Sequence, residues 1–177
     1  MAHRRFGGNG RYWRLMEHNG TTERRGVAEF ARMASVLALL RMFMGVLWIA
    51  NLWWKLPPDF GRDQPRGLLF SFQQAEHYAV WTPLRHIMRD VVIPHFTLCG
   101  WEVFLIEATA GTLLLLGWHT RVGALVGTVQ ASSITVLMVA APHEWFWGYA
   151  MFVLLNLALL VAPSNLRLSL DHRQGRA

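Results

Sequence analysis

Cysteine is almost missing: Cys99 is the only one in 177 residues. One thiol closes no intrachain disulfide and forms no CxxC pair for thiol exchange, and its apolar surroundings read as packing. Charged residues are also scarce, at 16% against 53% apolar. That balance leaves no room for a large soluble core beside long apolar runs. No glycine-rich phosphate loop, no Ser-His-Asp order and no zinc-ligand spacing stands out, so no metal site is expected. No electron carrier and no covalent cofactor motif is evident either. The net charge is +6. Nucleic acid is nevertheless set aside as a partner, because the arginines gather beside the first apolar stretch, where orientation signals lie.

What the chain does have is four apolar stretches, at about residues 34–54, 96–117, 121–141 and 145–162. Each approaches the ~20 residues that cross a hydrocarbon core. The expected fold is an all-α, integral membrane four-helix bundle, spanning 34–163, with an interfacial helical segment between spans one and two. Residues 1–33 form a basic arm in which Thr22 caps a helix starting at Glu23. Residues 164–177 form a tail. Both termini fall on the side richer in arginine, which reads as cytoplasmic in a bacterial or archaeal inner membrane. The first span ends in Trp53-Trp54-Lys55, not in small residues, so a cleaved signal peptide is not expected.

Pro57-Pro58 ends span one. Residues 67–80 are too mixed to span. Thr82-Pro83 starts a helix over 83–93 with Leu84, Met88 and Val91 along one side and Arg85 and Arg89 on another, suited to an interface. Short turns at Gly117-Trp118-His119-Thr120 and Pro142-His143-Glu144 make the last three spans antiparallel. Gly123, Gly127 and Ala131 form a stripe that lets another helix approach closely. Trp53, Trp54, Trp101, Trp145 and Trp147 near span ends read as an aromatic belt.

Each span carries a polar or charged residue toward its middle, where lipid tails should be: Arg41, Glu107, Gln130 and Asn156. Counted along the helices, all four fall within roughly 6 Å of one depth. Arg41 and Glu107 are therefore expected to form an ion pair with Gln130 and Asn156 beside it, since an unpaired charge in lipid is expensive. Two uses remain open. The pair fixes helix register, or Glu107 relays protons while Arg41 holds a ligand headgroup. A second group gathers at the outer rim: Lys55, His95, Glu102, His143, Glu144, Trp145, Arg85 and Arg89. With Arg62 and Arg66 beside Arg85 and Arg89 it is a candidate site for a quinone or a small anion, and those arginines serve equally as headgroup anchors.

The run Leu47-Trp48-Ile49-Ala50-Asn51-Leu52-Trp53-Trp54-Lys55-Leu56-Pro57-Pro58-Asp59-Phe60-Gly61 resembles the DoxD/DoxX family, the membrane subunit of thiosulfate:quinone oxidoreductase. So do Val92-Ile93-Pro94-His95-Phe96-Thr97 with Gly100-Trp101, Glu107 through Gly111 to Leu116-Gly117 with Thr120-Arg121, and Pro142-His143-Glu144-Trp145 with Trp147 and Tyr149. The resemblance covers about residues 35–172. It implies a four-helix membrane bundle, oxidation of thiosulfate to tetrathionate coupled to quinone reduction, and a second small subunit. By matched motif the carried-over positions are Arg41, Lys55, Pro57, Asp59, His95, Glu107, His143, Glu144 and Trp145. Residues 1–32 extend beyond the family's usual start and suit docking to a larger assembly. A non-catalytic accessory subunit of a respiratory or photosynthetic membrane complex is the alternative to an enzyme subunit.

Overall fold

The structure, a computed structural model, describes the backbone of residues 9–162 and side-chain surroundings from residue 29 to 162. The start of the arm and the 164–177 tail lie outside the described residues. Among those described there are helices and turns and no strand. The elements are α1 (Asn9–Ala50), α2 (Leu68–His77), α3 (Thr82–Ile87, running into a π turn over Met88–Val92), α4 (Phe96–Leu116), α5 (Thr120–Met138) and α6 (Phe146–Val161).

The chain divides into two compact units, Met1–Val36 and Leu37–Ala177. In the first, α1 begins at Asn9 and not at Glu23 as expected, and Phe30, Met33 and Val36 are exposed. The second holds the rest of α1 and every other element. Three helical stretches are long and apolar enough to cross a membrane: Glu29–Lys55, Phe96–Leu116 and Thr120–Met138. The fourth, α6, is equally apolar but has 16 residues, about 24 Å of helix, short of the ~30 Å core.

Local chemistry sets the antiparallel order. Gly117 takes a left-handed conformation (φ 65°) that ends α4, and the N–H groups of Gly117 and Trp118 return to the Leu113 carbonyl. α5 starts three residues later. Small residues then admit close neighbours. A Cβ on Gly45 of α1 would lie 2.6 Å from the Leu115 backbone of α4. Gly127 of α5 faces Trp48 of α1 and Asn156 of α6, so the expected small-residue stripe does bring helices together.

Helix α1 gives way at Asn51 to a 3-10 turn over Trp53–Lys55, and the prolines forbid its continuation. The chain then folds back on α4. Phe60 is fully buried, its ring against Gly100 of α4 and edge-on to Phe96 and Trp101. Around it Leu68, Phe72 and Ala75 of α2, Met88, Phe96 and Met138 form one apolar cluster. A second cluster, toward the α4–α5 turn, contains Met44, Trp48, Ala110, Leu114, Ala124 and Leu159. The helix expected over 83–93 is present, as α over Thr82–Ile87 and as π over Met88–Val92, with Met88 buried and Val91 exposed. Met88 turns inward because α2, which the sequence left as mixed, packs beside it.

Candidate functional site

Glu107 lies on α4 between the two apolar clusters and is fully buried. Its partner is Lys55, the only lysine in the chain, 3% exposed. Lys55 Nζ stands 2.6 Å from Glu107 Oε1 and 4.5 Å from the centre of the Trp54 ring. Asn51 Nδ2 donates to Glu107 Oε2 at 3.3 Å, and Trp54 Nε1 donates to Asn51 Oδ1 at 3.2 Å. The Gln130 side chain of α5 also hydrogen-bonds the carboxylate. Both carboxylate oxygens and the ammonium are therefore satisfied from three elements, as a buried charge requires.

The expected Arg41–Glu107 pair does not form. Arg41 is fully buried, and its Nη1 donates to the carbonyls of Leu114, at 2.5 Å, and of Leu115, at 3.4 Å. These belong to the last turn of α4, where carbonyls lack helical partners and the dipole end is negative. Arg41 thus closes the end of α4, about two turns beyond Glu107. Asn156 is not beside Glu107 either. It accepts from Trp48 Nε1 at 3.2 Å and donates to the Phe152 carbonyl at 2.8 Å. The single polar layer expected from depth counting is three tiers, marked by Arg41 and Trp48 on α1 and by Lys55 in the 3-10 turn that follows it. Arg41 and Trp48 are seven residues apart and so share one helix face. Of the four expected residues, Glu107 and Gln130 come together.

The rim group does not converge. Lys55 leaves it for the interior. His95 Nδ1 meets the Val91 carbonyl at 2.8 Å, Arg85 donates to the His77 carbonyl, and Arg89 pairs with Glu76 at 2.9 Å. Glu144 accepts from the Tyr149 hydroxyl. Glu102, His143 and Trp145 are exposed. Among the described residues no group of histidine, cysteine and carboxylate side chains is placed to hold a metal ion.

Sequence reading missed the contributions of Asn51, Trp54 and Trp48. A signal was present: the sole lysine follows Asn51 by one helical turn and Trp48 by two. An open cleft of about 430 Å³ borders Trp53, Trp54, Asp59 and Gln64, so Trp54 stands between that cleft and the ion pair. Comparison with protein-family models, curated proteins and solved structures finds no match, and the DoxD/DoxX resemblance stands on its motif residues alone.

Proposed function

We propose that this chain is a DoxD/DoxX-like four-helix bundle of a bacterial or archaeal cytoplasmic membrane, with both termini cytoplasmic. In this reading it is a non-catalytic accessory subunit of a larger respiratory or photosynthetic complex. The observation that carries the reading is the Lys55–Glu107 pair. Lys55 is the cation that motif matching offers for thiosulfate, and Glu107 is the group offered for proton transfer. Each neutralises the other inside the protein, with Asn51 and Gln130 filling the remaining valences. Such a network locks α1, α4 and α5 in register.

The second reading is catalytic. Two thiosulfate dianions join through a new S–S bond and release two electrons, which a quinone accepts with two protons. It is favoured by Arg62, a cation over the Phe96 ring at the start of α4. In this reading electron transfer runs through a quinone and a second subunit.

One assay separates the two: thiosulfate-dependent reduction of decylubiquinone or a menaquinone analogue by the purified protein, alone and with a small partner subunit. The accessory reading expects no turnover, and migration of the chain with a large complex that is lost on deleting residues 1–32. Turnover that falls with Glu107→Gln while the protein still inserts would establish the catalytic reading instead.

A further inference from the structure

Arg62 differs from the other cations around it. Lys55 is neutralised by Glu107 and Arg89 by Glu76, and Arg85 is turned to a backbone carbonyl. Among the described residues no carboxylate lies within ion-pair distance of Arg62. Its guanidinium carbon sits 4.8 Å from the Phe96 ring centre, and Nη2 makes one long hydrogen bond, 3.4 Å, to Thr97 Oγ1. Those contacts hold the fork against α4 and leave most of its five donors unused.

Arg62 lies on the wall of an open cleft of about 320 Å³. His95 and Thr97 share that wall, while Leu69, Ile93 and Phe96 make the remainder apolar. His95 commits its Nδ1–H to the Val91 carbonyl, which leaves Nε2 of the neutral ring an acceptor, so the donors on this wall are Arg62 and the Thr97 hydroxyl. The cleft opens at Phe96, the first residue of a helix apolar enough to cross a membrane. Leu98, on the same lip, is 70% exposed. A donor-rich wall at the mouth of an apolar surface is the arrangement that a phosphate attached to acyl chains requires. The planar guanidinium suits two phosphate oxygens at once, and an apolar floor suits the glycerol and the first methylenes. A free anion uses the wall and gains nothing from the floor.

The geometry points to a binding site for the phosphate of an anionic phospholipid, with the oxyanion on Arg62 and Thr97 and the acyl chains over Leu69, Ile93 and Leu98. A lipid phosphate there occupies the cation on which the catalytic reading draws, so the site accords with the accessory reading.

Native mass spectrometry of the full chain in detergent tests it. The probes are dioleoyl phosphatidylglycerol, dioleoyl phosphatidylcholine as the zwitterionic comparison, and inorganic phosphate as competitor. Phosphatidylglycerol is expected to bind about tenfold more tightly than phosphatidylcholine, and Arg62→Gln to lose about that factor, equivalent to one charge-assisted contact. Arg85→Gln, outside the cleft, is expected to bind as the parent does. Thr97→Val removes the hydroxyl that would donate to the oxyanion and that holds the guanidinium in place, and is expected to weaken binding several-fold; it reads the same site should Arg62→Gln prove unstable. Parent-like affinity in both cleft variants would overturn the site. Equal losses in Arg62→Gln and Arg85→Gln would overturn it in favour of diffuse surface charge. Displacement of the lipid by millimolar inorganic phosphate would overturn the lipid assignment in favour of a free oxyanion.

Discussion

Glu107 and Lys55 are worth most to each other. Removing one partner of a buried pair leaves a bare charge and costs about 3–5 kcal/mol, whereas replacing both with apolar groups of similar size is often neutral. Glu107→Gln and Lys55→Met are therefore each expected to lower the thermal midpoint in detergent markedly. The double variant Lys55→Met/Glu107→Leu is expected to recover most of the loss. A double variant as unstable as the sum of the singles would show that the residues do not act as a pair. The sole lysine gives a second readout. An amine-reactive acylating reagent should leave Lys55 unmodified in the folded parent and reach it in Trp54→Ala, because Trp54 lines the adjoining cleft and covers the ammonium. Modification of Lys55 at equal rates in both proteins would remove Trp54 from that role. Both members of the pair were legible as polar residues in apolar company, but their pairing was not. Depth was counted from the hydropathy edge of the first stretch at residue 34. The helix is continuous past that edge, so Arg41 stands level with the end of α4 and not with its middle.

The ends of α4, α5 and α6 were the most legible features at this scale, whereas α1 begins fourteen residues before the expected Glu23. α4 ends at Leu116 where Gly117 turns left-handed, within one residue of expectation, and α5 and α6 follow within three. The segment after α1 was not legible. Phe60 is buried through contact with Gly100, forty residues away, and no local pattern announces that. The Arg41 contact also belongs to this scale, because its effect is on a whole helix end. Arg41→Met is expected to cost about 1–3 kcal/mol, the range for hydrogen bonds from a charged donor together with the dipole term. Hydrogen exchange should show Leu115 through Gly117 opening first, with the Glu107 turn unchanged. Faster exchange throughout α4 would mean that Arg41 supports the bundle generally and not that end. Gly127→Ala tests the meeting of α1, α5 and α6. The added methyl would collide with Asn156 Oδ1 and lie 3.0 Å from Trp48 Nε1, so a loss of about 1–3 kcal/mol is expected from overpacking. Val129→Ala, on the exposed face of the same helix, should change little by comparison.

For the molecule as a whole, the question that matters most is whether α6 joins the three helical stretches that are long and apolar enough to cross a membrane. Its length argues against it and its packing argues for it. Asn156 reaches Trp48 and Gly127, and Leu159 joins the cluster of Leu114 and Ala124, residues near the α4–α5 turn. A helix that starts after the α5–α6 connection and ends at that level runs the same course as α5, shortened by about one turn. Local thinning of the bilayer accommodates such a mismatch at a modest cost per ångström. Exposed Leu105, Val129 and Leu154 give α4, α5 and α6 apolar outer faces in keeping with lipid. The sidedness follows and is measurable. In a Cys99→Ser background, single cysteines at Trp118, Trp145 and Val161, all exposed, are labelled with an impermeant maleimide in sealed right-side-out and inverted vesicles. Trp118→Cys and Val161→Cys are expected to react from one side and Trp145→Cys from the other. If Val161→Cys instead reacts from the same side as Trp145→Cys, α6 lies along the surface. In that case the buried Asn156–Trp48 contact could not persist in the membrane, since Trp48 is fully buried on α1 among Met44, Ala110 and Leu159.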